Sequence, residues 1–253
     1  MVKFEAVTYV YGRQPPIFQD FSWDLARGES WAVLGPSGCG KTTLLYLLAG
    51  LRRPTAGQIL INGRVLLRPR PQTGLILQDY GLLPWATVRD NAGLGLKLHR
   101  FYGPDGLHAP AEPLPNSGVM DWLQRLGLSE MQDKYPSQLS GGQRQRTAIA
   151  RTLALQPELL LMDEPFSSLD APTREDLQSL VLELQVEQHL TLVVVTHAIE
   201  EAALLGKKIL LLSQPPIRNP DILLNPDAGT PFYRNSSRYM ELCQELRSRM
   251  GPQ

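Results

Sequence analysis

Apolar and polar residues alternate along this chain in two rhythms, and the change of rhythm marks its organisation. Val2–Tyr11 reads as a strand that ends at Gly12 and the Pro15-Pro16 turn. In Phe18–Leu25, Phe21, Trp23 and Leu25 alternate with polar residues, with a slip near Asp20, as in a half-buried strand. Ser30–Leu34 is an apolar strand, and Lys41–Gly50 follows as a helix closed by Gly50. Asn62-Gly63 between Gln58–Ile61 and Arg64–Leu67 predicts a tight hairpin. Thr73–Leu77 is a further short buried strand. From about Gln78 to Gln156 the period becomes helical, over Val88–Leu98, Val119–Leu126 and Gln143–Leu155. Gly103–Pro115, broken repeatedly by Gly and Pro, is predicted as an exposed loop. Strands and helices then alternate: Leu159–Met162, Arg174–Gln188, Leu192–Val195, Ile199–Leu204 and Ile209–Leu212. Strands this uniformly apolar predict a parallel sheet covered on both faces. Gln214–Asn235, rich in Pro and Asn, is expected to be irregular, and Ser237–Met250 to form a short amphipathic closing helix.

Composition narrows the function classes. The chain has 253 residues, suited to one large α/β domain with a subdomain. Lys plus Arg number 25 and Asp plus Glu 25, so the formal net charge is zero. The basic excess expected of a binder that neutralises nucleic-acid phosphates is absent. Cys39 and Cys243 are the only cysteines and fit no zinc spacing. One falls inside a glycine-rich loop, so no structural disulfide is expected and a reducing compartment fits better. Met1-Val-Lys-Phe-Glu has no apolar leader region, and no apolar run approaches the roughly 18 residues of a membrane span.

Gly35-Pro36-Ser37-Gly38-Cys39-Gly40-Lys41-Thr42 matches the phosphate-loop pattern G-x-x-x-x-G-K-[ST] in full. Glycines let successive backbone N–H groups turn inward as an anion nest at a helix N-terminus. Lys41 is placed for the β- and γ-phosphates, and the Thr42 hydroxyl suits Mg²⁺. A buried strand before the loop and a helix after it argue against a chance Gly-rich turn. Leu159–Met162 runs into Asp163-Glu164, so two carboxylates fall at the strand end where open α/β sheets bind ligands. Asp163 would hold Mg²⁺, directly or through water, and Glu164 would orient or deprotonate an attacking water. Gln78 and His197 also follow apolar strands. Alone, each reads more simply as structural, and their value is positional.

These residues resemble the ATP-binding cassette (ABC) ATPases, the nucleotide-binding subunits of ABC transporters. The resemblance spans about 2–213, with motifs in the family's order. Gly35–Thr42 matches the Walker A loop, with Thr43 beside it. Gln78 matches the Q-loop. Leu139-Ser140-Gly141-Gly142-Gln143 matches the signature, Leu160–Glu164 Walker B, Ser168-Leu169-Asp170 the D-loop and His197 the switch histidine. Tyr11, before Gly12, stands where the family stacks adenine on an aromatic ring, with Tyr9 the alternative. The resemblance implies an α/β fold: a P-loop NTPase (RecA-like) core, an antiparallel β subdomain and a helical signature subdomain at about 79–156. The tail would be 214–253. It implies ATP and Mg²⁺ as cofactors, with Thr42, Gln78 and Asp163 at the metal. Lys41, Gln78, Glu164 and His197 would be the catalytic set. It also implies a head-to-tail dimer in which Ser140, Gly141, Gly142 and Gln143 meet the partner's ATP and Asp170 crosses the interface.

A narrower resemblance lies in Tyr80–Asn91. Leu82-Leu83-Pro84-Trp85 followed by Thr87-Val88 and Asn91 looks like the nitrate, sulfonate and taurine import ATPases and the related thiamine-precursor importers. The expected partners are then transmembrane permease subunits and, indirectly, a solute-binding protein, with the chain peripheral at the cytoplasmic face of the inner membrane. Leu82, Leu83 and Trp85 would anchor the permease, or Trp85 would pack inside the helical subdomain. One departure is Ala198, where these importers usually carry Asp. A soluble ABC ATPase not linked to transport is the competing function. The single cassette, the lack of a heptad run and the zero net charge argue against it. A catalytically dead cassette is opposed by the full set Lys41, Gln78, Asp163, Glu164 and His197.

Overall fold

The computed structural model describes residues 1–102 and 117–250; the expected loop Gly103–Pro115 lies outside the described residues. Strands β1 (Val2–Tyr9) and β2 (Phe18–Leu25) are followed by β3 (Ser30–Leu34) and helix α1 (Lys41–Leu48). A hairpin, β4 (Ala56–Ile61) and β5 (Arg64–Val65), precedes β6 (Thr73–Ile76). Helices α2 (Val88–Tyr102), α3 (Ser117–Arg125) and α4 (Gly141–Leu153) come next. The chain then runs β7 (Leu159–Asp163), α5 (Ala171–Glu187), β8 (Thr191–Thr196), α6 (Ile199–Leu205), β9 (Lys208–Leu211), β10 (Asp221–Leu224) and α7 (Ser237–Met250).

The strands sort into two sheets by their burial. Half-buried strands make an antiparallel sheet of order β2-β1-β4-β5. Its hairpin turns at Asn62 and Gly63, with φ of 52° and 76°, the left-handed pair that a two-residue turn demands. The slip read near Asp20 is real: Asp20 has φ 52° and the β1–β2 register shifts between Val7 and Tyr9. Strands β3, β7 and β8, buried along their whole length, centre the second sheet, of order β10-β9-β3-β8-β7-β6. From β9 to β6 every pairing is parallel.

Strand β10 corrects the expectation of an irregular Gln214–Asn235. It pairs antiparallel with β9 and supplies hydrogen-bond partners to that strand's open edge. Only Leu223 of its residues is buried, so the apolar signal is faint beside the surrounding prolines. Two helices also begin earlier than periodicity indicates, because their caps are polar. Ser140 caps α4 by accepting from the Gln143 N–H, while the Gln143 side chain accepts from the Ser140 N–H. Asp170 caps α5, whose first turn contains Pro172.

One face of the parallel sheet shares a core with α2–α5, including Val88, Leu123, Ile149, Met162 and Val194. The other face packs with α1 and the antiparallel sheet through Trp23, Trp31, Leu44 and Leu161. The β10–α7 tail closes a third cluster with β3, α6 and β9 around Leu34, Ala203 and Leu246. No helix among the described residues is long and apolar enough to cross a membrane.

Candidate active site

Strand register brings the separated motifs to one edge. Leu34 of β3 pairs with Thr196 of β8, Val195 with Asp163 of β7, and Met162 with Ile76 of β6. The chain therefore leaves these four strands at the same end, carrying the phosphate loop, Asp163-Glu164, His197 and Gln78. This is the C-terminal edge of a parallel sheet, where α/β folds bind ligands.

The loop from Gly35 to Gly40 ends at Lys41, the first residue of α1. Gly38 and Gly40 adopt φ of 79° and 108°, which residues with a Cβ rarely reach. At Gly35 a Cβ would lie 2.7 Å from both the Cys39 sulfur and the Leu212 carbonyl oxygen, so close approach also excludes a side chain there. Lys41 is buried, and its Nζ donates to the carbonyls of Gly35 at 2.7 Å and Pro36 at 3.0 Å. The ammonium is thus held over its own loop. Burial pushes the Cys39 thiol pKa up, which keeps it protonated and inert inside the nest.

The Thr42 hydroxyl donates to Asp163 at 3.5 Å. Burial raises the Asp163 pKa, and the charge of Glu164 adds to the rise. A hard divalent cation fits this pair. Two oxygen donors, 3.5 Å apart, converge near the roughly 3 Å spacing of neighbouring ligands of octahedral Mg²⁺, and the Lys41 charge and the Thr42 hydrogen bond only partly offset the burial of the carboxylate. No group of three or more His, Cys, Asp or Glu among the described residues forms a metal cage. Gln78 is exposed beyond β6.

Glu164 has φ 45°, left-handed for a residue with a long side chain. Such strain costs on the order of 1–3 kcal/mol and clusters at functional sites. Its N–H donates to the Val195 carbonyl at 2.9 Å, and Ser167 donates to its carbonyl through N–H and hydroxyl at 3.3 and 3.0 Å. The carboxylate is thereby aimed at His197, whose Nδ1 lies 3.1 Å from Oε2. After His197, the Ala198 N–H donates to the Thr196 hydroxyl, and that hydroxyl donates to the buried Glu201. Ala198 offers α6 no side-chain cap, which is what its departure from Asp removes.

Tyr11 is half-buried. Its hydroxyl is 3.3 Å from the Thr43 hydroxyl, and its ring stands edge-on to Tyr9 at 4.9 Å. Tyr9 is buried in the core and has no face to offer a base. Ser140 and Asp170 are exposed at the starts of α4 and α5. Hydrogen bonds from Thr173 hold Asp170 below the ordinary carboxylate pKa, so it stays ionised. The signature glycines face α5. A Cβ on Gly142 would meet the Thr173 methyl at 2.5 Å and one on Gly141 the Leu169 side chain at 3.1 Å.

The turn after Gln78 is built from inside. Asn91 is fully buried in α2; its amide donates to the carbonyls of Leu83, Ala86 and Thr87 and accepts from the Leu83 N–H. This clamp leaves Trp85 74% exposed, so Trp85 does not pack inside the helical segment. The clamp itself escaped sequence reasoning. Its one signal is a polar residue on the Val88, Ala92, Leu96 face of α2.

The ABC transporter family profile matches residues 18–167, more than half of the chain. The taurine import ATP-binding protein TauB of Pseudomonas aeruginosa is 44% identical over 207 residues, 82% of this chain and 75% of that protein. The nitrate import ATP-binding protein NrtC of Synechococcus elongatus is 37% identical across 97% of this chain and 38% of that protein. A solved dimeric ATP-binding cassette, in a post-hydrolysis state with ADP and Pi bound, superposes with a TM-score of 0.74 at 29% identity. That superposition covers 88% of this chain and 98% of the other. The chain belongs to the ABC transporter family and is one of its ATP-hydrolysing cassettes.

Proposed function

We propose that the chain energises the uptake of a small solute by hydrolysing ATP at the edge formed by β3, β6, β7 and β8. The carrying observation is the Glu164–His197 pair at 3.1 Å, on the same sheet edge as the phosphate loop and Asp163. The backbone N–H groups of 37–41, with Lys41, Thr42 and Thr43, take up the phosphates on a loop opened by Gly35 and Pro36, and Tyr11 stacks on adenine. Glu164 receives the proton of a water whose oxygen attacks the γ-phosphorus, and the bond to the ADP oxygen breaks. His197 fixes the carboxylate through Nδ1 and stands beside the γ-phosphate. Mg²⁺, when bound, would neutralise charge between the β- and γ-phosphates, held by Thr42 and Asp163 with Gln78 reaching in.

Two copies would complete the site. Ser140 is exposed and Gly141 partly so at the start of α4, Gly142 is buried against Thr173, and Gln143 closes the capping box. A helix start of this kind suits a phosphate brought by a second chain. ATP then closes a head-to-tail dimer because the contacts exist only in the closed state. Residues 1–213 would be the ATPase domain, with 79–156 its inserted helical subdomain and 214–253 the tail. Trp85 and its clamped turn would dock permease subunits, leaving the chain peripheral at the cytoplasmic face of the inner membrane. The relatives named for taurine and nitrate import support a sulfonate or small oxoanion as cargo, delivered by a solute-binding protein. Hydrolysis by Glu164→Gln tests the chemistry: turnover should fall by about 10²-fold or more with ATP binding retained. Near-normal turnover would refute the role of Glu164.

A further inference from the structure

Tyr80 follows Gln78 by two residues and takes no part in the phosphate chemistry, yet it touches two other motifs. It is buried and adopts φ 64°, an outlier for an aromatic residue. Its hydroxyl is 2.8 Å from the Ser168 hydroxyl, in the segment that leads to Asp170. Its carbonyl accepts from Arg151 of α4 at 2.7 Å, and the Gly81 carbonyl accepts from the same guanidinium at 2.6 Å. Arg151 thus grips the glutamine turn from the helix that begins at the signature. Ser168 has firm neighbours of its own. Ser167 is bonded to the Glu164 carbonyl, and Arg174 donates to the Leu169 carbonyl at 2.7 Å.

We propose that Tyr80 is a positioning residue for hydrolysis: its hydroxyl bond to Ser168 holds the Gln78 turn and the Ser168–Asp170 segment in one register, while Arg151 ties both to the signature helix. A buried tyrosine that merely filled space would need only its ring, and phenylalanine would serve. Here the hydroxyl reaches a loop 88 residues away in sequence, beside the general base. The strained backbone at Tyr80 is what turns the side chain toward that loop while presenting the carbonyl to Arg151. The exposed turn at Leu82–Trp85 begins next to this junction. A displacement there reaches Ser168 through one aromatic ring.

The proposal rests on Glu164 as the base, and the two fail separately. Steady-state hydrolysis of MgATP by the full chain and thermal unfolding are the measurements. Tyr80→Phe and Ser168→Ala should each lower kcat about 3- to 10-fold, the range of one neutral hydrogen bond, with KM for ATP unchanged and the melting temperature lowered by no more than about 2–4 °C. The double variant should be no slower than either single variant, because both remove the same bond. Ser168→Thr keeps a hydroxyl and should keep most of the rate. A kcat for Tyr80→Phe within about 1.5-fold of wild type overturns the proposal. So does an additive double variant, or a fall in melting temperature accompanied by a rise in KM, which marks simple packing. Full activity in Glu164→Gln would instead remove the reading of the base and leave the Tyr80 comparison standing.

Discussion

The phosphate-loop edge and the signature edge, proposed to serve one phosphate from two chains, are finished differently. At the first, Lys41 and Asp163 are buried, the ammonium donates to the Gly35 and Pro36 carbonyls, and the carboxylate accepts from the Thr42 hydroxyl. At the second, Ser140 and Asp170 are exposed, and the glycines are pressed against α5 instead of against a ligand. One region is preorganised within a single molecule. The other is a correctly shaped face that lacks something to close on. Burying charge has a cost, carried by the first region; waiting for a partner leaves the second exposed.

Variants can separate the two edges. The largest effect is expected from Lys41→Ala, which removes the ammonium from the nest and should abolish ATP binding in a direct titration. A dissociation constant within about twofold of wild type would contradict this. Gly142→Ala acts on the other edge. Its Cβ would lie 2.5 Å from the Thr173 methyl, so the Thr173 side chain must rotate away from its bond to Asp170 or the two helices must part. A stability loss of about 1–3 kcal/mol is expected by denaturant unfolding, with monomeric ATP binding intact.

Asp163 offers a smaller effect with a definite sign. Its folded pKa lies above the ordinary 3.8 because burial disfavours the charge. The folded state therefore holds the proton more tightly than the unfolded one. Stability falls as pH rises from about 3.8 through the folded value, and the full cost persists at neutral pH. Asp163→Asn should raise the melting temperature at pH 7 by about 2–4 °C, with the gain vanishing toward pH 4, while Mg²⁺-dependent turnover is lost. The reverse slope with pH would show that the buried charge is compensated. Smallest of all for the isolated chain is Trp85→Asp. At 74% exposure it should leave hydrolysis and melting unchanged, yet abolish co-purification with the permease. Unchanged co-purification would refute the docking role.

Much of this was legible in the residues. Gly38 and Gly40 announce left-handed backbone, and Leu159–Asp163 announces a buried strand ending in acid, because both signals are local. Strand β10 was hidden, since an edge strand with one buried residue carries almost no hydrophobic period. The placement of Trp85 stayed open until the structure showed Asn91 holding the turn. That bond set depends on a helix and a loop meeting, which periodicity does not encode. The Tyr80–Ser168 contact is long-range in the same way.

In the proposed site each ATP is enclosed by two chains. Glu164→Gln, incubated with MgATP and measured by light scattering on a sizing column, should then double in mass in an ATP-dependent way. The doubling should disappear when Ser140→Arg is added, with ATP still bound. A chain that binds ATP with the same affinity but stays monomeric at every nucleotide concentration would contradict it.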